Sequence, residues 1–412
     1  MYNKMVEENV QLNISNEDYL EIVETAGFLI QDMIRMDPMM YAHPSFEDIV
    51  YYDTIELVNQ QLREVFDFEI YDYVECATME AMKIYHTCIC PRRSYDPTFI
   101  RVKPIIEIMK AKIHYLEMVP QPDQRTDEWY HFRHKYLTAS SLWKAFGTQS
   151  SQNELIYNKC QPIDVGKYKT VNTESPMHWG QKYEDVSLDW YNNTYTTTVA
   201  EFGCVPHRNI KYLAASPDGI NTDETSDLYG RMVEVKNIVN REITGIPKLE
   251  YWIQMQLQME VCELNECDFL ETRFIEYENE KSFRADGNFN KTKDGKPKGI
   301  VMFFNNDGKP LYEYMPFGAT DEEFDKWEDL MMKKHSDLTW VRNDFWYLDQ
   351  VSCVLVLRNK MWFKHAESIL CELWSKIEYE RVHGYEHRAP NRRKKSHTDN
   401  SQQLKCLIDI IS

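Results

Sequence analysis

The most constraining stretch of this 412-residue chain runs from Ser216 to Lys236. Pro217 and Gly219 bracket Asp218, which places it at a sharp bend closing the apolar run 210–215. After a short polar loop, Met232-Val233-Glu234-Val235-Lys236 alternates. Successive side chains of a strand point to opposite faces, so Val233 and Val235 face one way and Glu234 and Lys236 the other. One strand therefore presents a carboxylate and an ammonium together, with a second carboxylate arriving from the adjoining turn. Two carboxylates on strand ends suit a hard divalent cation, because Mg²⁺ takes oxygen ligands and keeps several waters. Lys236 is then placed to orient, or help to deprotonate, a water that attacks a phosphodiester. Taken alone, the pattern also describes a solvated turn beside an exposed ion pair. The rest of the chain decides between them.

The length suffices for a full core and two or three lobes, and a hydrophobic content of 43% with 13% aromatic is globular. No run of about 18 apolar residues occurs, and the N-terminus lacks a basic-then-apolar signal pattern. An intracellular protein, cytoplasmic or nuclear, with no membrane partner is expected. Ten scattered cysteines fit reduced thiols. His86, Cys88 and Cys90, with Cys76 upstream, are poorly spaced for zinc and read as buried thiols. Residues 1–100 hold 19 acidic and 6 basic side chains, so most of the net charge of −19 is N-terminal. A local basic groove can bind DNA on an acidic average, so charge neither supports nor excludes nucleic acid.

Residues 1–118 read as an acidic, mostly helical region of unassigned role, with Asn16-Glu17-Asp18 opening a helix on Leu20, Ile22, Val23, Ala26 and Ile30. A new pattern starts after Pro120-Gln121-Pro122: Arg125 to Trp129, then Arg133, then Thr138-Ala139-Ser140-Ser141. Thr138 or Ser140 is placed to cap a helix through Leu142, Ala145 and Phe146, and a helix N-terminus beside Arg133 favours a phosphate. Arg133 by itself reads as a surface or structural arginine. A helix over 177–191 aligns Glu184, Leu188 and Tyr191, and strands are predicted over 201–207, 210–215 and 231–236. Residues 251–260 alternate like a strand. Their Gln, Met, Leu and Glu nevertheless favour helix, which puts Tyr251, Gln254 and Gln258 on one face. A strand over 267–277 completes an α-β-β-β-α-β order, with the acidic residues at one rim of a single sheet.

With these residues assembled, the stretch from Arg125 to Tyr277 resembles the YqaJ or phage-lambda-type exonuclease branch of the PD-(D/E)xK nucleases, in the version carried by large double-stranded DNA viruses. The resemblance rests on W-x₃-R followed by T-A-S, then G-x₂-Y-E, S-P-D-G, E-V-K and Y-x₂-Q-x-Q, in the family's order. It implies an α/β (α+β), restriction-endonuclease-like fold whose mixed sheet is flanked by helices. The core would span 119–280, followed by an α+β extension over 281–386 packed on it. A hairpin is expected between Lys298 and Pro316, with its turn at Asn306-Asp307-Gly308. A flexible basic tail over 387–412 would contain Arg392 to Lys395.

The same resemblance implies catalytic roles for Glu184, Asp218, Glu234, Lys236 and Gln254. It makes Asp218, Glu234 and the Val235 carbonyl Mg²⁺ ligands, with Glu184 serving a second ion directly or through water. Two ions about 4 Å apart are implied, Mn²⁺ being a possible substitute. Arg133, Ser140 and Ser216 match residues that hold the 5′-phosphate of a DNA end. The implied activity is 5′→3′ degradation of one strand of a duplex, leaving 3′ single-stranded tails for recombination, repair or genome processing. The implied partners are duplex DNA ends, a single-strand annealing or binding protein, and further copies of the chain in a ring trimer. Endonuclease or RNA-cleaving activity on the same fold stays open, as does a non-catalytic scaffold. The intact set Glu184, Asp218, Glu234 and Lys236 speaks against the scaffold.

Overall fold

The structure, a computed structural model, describes residues 14–62, 70–96, 98–99, 103–122, 124, 126–164, 172–173 and 175–390. Arg125 and the basic run Arg392 to Lys395 lie outside them. The chain opens with helices α1 (Asn16–Met36), α2 (Phe46–Leu62), α3 (Tyr71–Cys88) and α4 (Ile106–Met118). The Ser15 hydroxyl caps α1 by accepting from the Asp18 N–H at 3.1 Å. Ile22, Val23, Ala26, Ile30 and Ile34 form its buried stripe, whereas Leu20, expected there, is 56% exposed. Of the cysteines read as buried thiols, Cys90 is buried and Cys88 is exposed.

Next come α5 (Asp127–His134), β1 (Leu137–Thr138), α6 (Ala139–Leu142), α7 (Gln149–Cys160) and α8 (Pro176–Tyr195). The strands β2 (Val199–Ala200), β3 (Val205–Pro206), β4 (Leu213–Ala215), β5 (Gly219–Asn221) and β6 (Met232–Asn237) follow, and α9 (Leu249–Cys262) leads into β7 (Glu266–Glu276). Strands β6 and β7 run parallel, and α9 is the crossover that such a pair requires.

The strands form two sheets. A small one has the order β1-β4-β3, and a seven-stranded mixed one has the order β2-β5-β6-β7-β10-β8-β9. The expectation of a single sheet is therefore corrected. The predicted strand over 210–215 survives as β4 in the small sheet, and only Val205–Pro206 of the predicted 201–207 strand forms. Pro217 has no N–H to give a ladder, so the chain leaves one sheet there and enters the other at Gly219. Asp218 sits in that passage. A Cβ at Gly219 would lie 2.1 Å from Val199 Cγ1, so the turn glycine is also required by the close approach of β2.

Beyond α10 (Glu280–Ala285), the expected hairpin is present as β8 (Lys298–Asn306) and β9 (Lys309–Tyr314). Its turn residues Asp307 and Gly308 both have positive φ, 49° and 84°, as a two-residue turn of right-handed twist requires. After α11 (Asp321–Lys334), the long strand β10 (Thr339–Leu357) inserts between β7 and β8, and α12 (Lys360–His383) follows. The residues after 280 thus extend the core sheet as well as pack on it. One apolar core runs from Ile22 of α1 through Trp252 of α9 to Ile377 of α12. Among the described residues, no helix is long and apolar enough to cross a membrane.

Candidate active site

The site is built on β6. Strand β5 begins only at Gly219, so at the preceding position the Asp218 side chain takes over from the backbone ladder: its Oδ2 accepts the Val235 N–H at 2.8 Å. That bond brings Asp218 beside Glu234. Glu234 is fully buried, and both of its oxygens are engaged. Gln254 Nε2 donates to Oε1 at 2.6 Å and Gln258 Nε2 donates to Oε2 at 2.7 Å. The Lys236 ammonium also donates to Oε1 and reaches the Val235 carbonyl oxygen at 3.2 Å. It lies 5.3 Å from the centroid of the Tyr251 ring.

These contacts set the protonation states. Burial and the neighbouring Asp218 charge raise the Glu234 carboxyl to about 7, against the opposing pull of Lys236. For Lys236, burial disfavours the charge, but Glu234 and Asp218 outweigh it and hold the ammonium above its ordinary value. So held, Lys236 is a hydrogen-bond donor and a positive charge beside Glu234.

A pH dependence follows for the cation-free protein. Glu234 keeps its proton in the folded state where the unfolded chain has lost it. Stability therefore falls as pH rises from about 4.5 to about 7, by roughly 3 kcal/mol for this one group, and levels off above. Urea titrations of the protein in chelator between pH 5 and 8 should show this decline, and Glu234→Gln should flatten it. An equally steep decline in Glu234→Gln would show that other groups cause it.

Glu184 stands on α8. Helix α8 packs on the other face of β6, where Val233 and Val235 join Tyr191 in an apolar cluster and Ser187 Oγ donates to Asn237 Oδ1 at 2.7 Å. Side chains alternate along β6, so this is the face that Glu234 leaves. Glu184, one turn before Ser187, is carried to the Asn237 end of the strand on that side. Among the described residues, no three His, Cys, Asp or Glu side chains converge as a metal site. Asp218 and Glu234 are the two carboxylates brought together at β6.

The phosphate residues are partly assembled. Arg133 Nη2 donates to Ser140 Oγ at 2.9 Å, and its guanidinium stacks on Trp129 at 4.2 Å from the ring centroid. The Ser216 hydroxyl is buried beside the Cys204 thiol. The expected side-chain cap is corrected: Thr138 is the N-cap residue of the four-residue helix α6 but its side chain makes no cap bond, and a 3-10 turn over Trp143–Phe146 continues the helix.

Two residues of the site escaped the sequence reading. Gln258 was placed on the correct helix face without a role; its Nε2 also donates to the Ser216 carbonyl oxygen at 3.1 Å, so it ties the Asp218 turn to Glu234. Glu271 pairs with Lys236 across the parallel ladder and shares its face. It is buried, with Oε1 bound by Arg241, and burial raises its carboxyl despite that arginine. Its position two residues after Phe269, on the strand expected to neighbour Glu234, was the available signal.

Residues 128–265 match the family model described as a YqaJ-like viral recombinase domain. This segment is similar to that viral recombinase domain. It contains nearly all of α5, the β6 site and α9, whereas α1 to α4 and everything from β7 onward flank it. An uncharacterised protein of Acanthamoeba polyphaga mimivirus is 29% identical over 354 residues, which cover 77% of this chain. The chain spans 62% of that relative's length. Two solved structures of an alkaline exonuclease are also similar. The crystal structure from Laribacter hongkongensis has a TM-score of 0.37 and 18% identity, and its complex with dAMP has 0.36 and 21%; each comparison covers 64% of this chain and 100% of the other.

Proposed function

We propose that the protein is a divalent-cation-dependent deoxyribonuclease that degrades one strand of duplex DNA from its ends, 5′→3′, and leaves 3′ single-stranded tails. The observation that carries this reading is half-buried Asp218 beside buried Glu234, with Lys236 and Gln254 on Glu234, inside a segment similar to the YqaJ-like domain. The donor set fits a hard cation. Asp218, Glu234 and the Val235 carbonyl are all oxygen donors, and the repulsion that raises Glu234 is what a cation would relieve. When bound, Mg²⁺ or Mn²⁺ supplies Lewis-acid polarisation of the scissile phosphate.

The chain's own groups do the rest. Lys236 orients the attacking water and offsets charge developing on the phosphate. Gln254 fixes Glu234 Oε1 so that the carboxylate faces the reaction from one direction. Arg133 and Ser140 hold a terminal 5′-phosphate, which engages donors that an internal phosphate cannot reach equally well. That asymmetry makes the reaction end-dependent. Glu184 is proposed as a contributor at the Asn237 end of β6, and assembly into a ring and a single-strand annealing partner belong to the same proposal.

The test is digestion of linear duplex labelled separately at its 5′ and 3′ ends, with Mg²⁺, beside a closed circle. The reading expects loss of the 5′ label as mononucleotide and an intact circle. A nicked circle would move the protein to an endonuclease, and silence on both substrates would sink the catalytic reading. Arg133→Ala should lower activity on 5′-phosphorylated ends selectively, by about 10–10²-fold for the loss of a charge-assisted contact of about 1.5–3 kcal/mol. Equal losses on 5′-phosphoryl and 5′-hydroxyl ends would argue against the pocket.

A further inference from the structure

We propose that Lys159 is a positioning residue for end recognition, clasping the α5–α6 connection so that Arg133 and Ser140 meet a 5′-phosphate together. The inference rests on the phosphate-pocket reading above. Lys159 stands in the last turn of α7 and is buried, 9% exposed. Its ammonium donates to the Arg133 carbonyl oxygen at 3.0 Å and to the Tyr136 carbonyl oxygen. Those acceptors are at the C-terminal end of α5, where carbonyls lack helical partners and a cation is favoured. Both acceptors belong to the connection between the two pocket residues, which are seven positions apart and also linked by the Arg133 Nη2–Ser140 Oγ bond.

A buried ammonium is a demanding way to close a helix, since an unpaired one is costly. Burial and the adjacent Arg133 push Lys159 down to about 7. A neutral amine still has two N–H groups, so both carbonyl bonds outlast the titration. The clasp is itself anchored from outside the YqaJ-like domain. Arg381 of α12 donates to the Lys159 carbonyl oxygen through Nε at 3.1 Å and Nη2 at 2.9 Å, and its guanidinium lies 5.0 Å from the Trp374 ring centroid. A continuous path of direct bonds therefore joins the C-terminal helix to the backbone of Arg133. Recognition geometry of this kind is sensitive, a displacement of about 1 Å costing up to about 10²-fold.

The experiment measures kcat/KM on duplexes with 5′-phosphoryl and 5′-hydroxyl ends for wild type, Lys159→Met and Arg381→Met, with thermal melts of each. The wild type should prefer the phosphorylated end. Lys159→Met should lose that preference, by up to about 10²-fold and mainly through KM, with activity on hydroxyl ends kept. Arg381→Met leaves every pocket side chain in place and should reduce the preference partly, which keeps the test decisive if the lysine variant does not fold. A preference unchanged in both variants while their melting temperatures fall would overturn the inference and leave Lys159 a structural residue. No preference in the wild type would instead overturn the pocket reading itself.

Discussion

Lys236→Ala is expected to lower turnover on duplex ends by about 10²–10³-fold, the usual cost of removing one preorganised donor at a reacting centre, while duplex binding is retained. Binding is carried by contacts along the phosphate backbone, and Lys236 points at Glu234 from within the sheet face. The variant has a second consequence that a simple loss of charge would not produce. Lys236 is the group that offsets burial and Asp218 repulsion at Glu234. Without it, Glu234 holds its proton to higher pH than about 7, so cation binding needs more alkaline conditions. Calorimetric titration with Ca²⁺ across pH would read this shift without any turnover. Lys236→Arg should not restore activity, because a planar guanidinium cannot replace a compact ammonium between Glu234 and the Val235 carbonyl. Ordinary turnover in Lys236→Ala would remove the lysine from the mechanism.

The heart of the site was legible because β6 obeys the period of two. Once Glu234 and Lys236 share a face, Asp218 has one nearby place to arrive from, and the alternation was enough. Helix α9 was harder. Every residue from Trp252 to Met259 is buried, so it has no polar stripe, and its alternating glutamines look like a strand. They are polar for separate reasons: Gln254 and Gln258 serve Glu234, while Gln256 Nε2 donates to the Leu357 carbonyl oxygen and its Oε1 accepts the Asn359 N–H. Propensity decided correctly where period did not.

What could not be read was set by contacts between distant segments. Strand β5 has three residues, too few for a pattern, and its existence depends on β6 alongside. The face of α8 turned to β6 holds Ser187 and Tyr191. Spacing placed Glu184 near them but could not say on which side of β6 that helix would lie. Lys159 gave no signal, because its acceptors are backbone carbonyls 23 and 26 residues away.

The second large effect concerns stability. Asp268→Ala should destabilise the fold by about 3–5 kcal/mol, the cost of breaking a buried ion pair from one side. On the α8 face of the sheet, Asp268 accepts from Arg231 Nη1 at 3.0 Å and 3.2 Å and from the Tyr191 hydroxyl at 2.6 Å. Arg231, Asp268, Tyr191 and Asn221 are all buried, and Asn221 Nδ2 donates to the Arg231 carbonyl oxygen at 2.8 Å. Truncation of Asp268 leaves Arg231 with Glu266 alone, at 3.1 Å from its Nε. The double variant Arg231→Met with Asp268→Leu should recover much of the loss, because the cost lies in the uncompensated charge and not in the missing attraction. Urea unfolding of the two variants separates these cases, and a double variant less stable than Asp268→Ala would show that the pair contributes net attraction. Asp268 is one register step from Glu234 but on the opposite face, so at temperatures well below melting kcat should stay at the wild-type value. A fall in kcat without a fall in stability would place the network in the chemistry, against the division of β6 into a structural face and a reacting one.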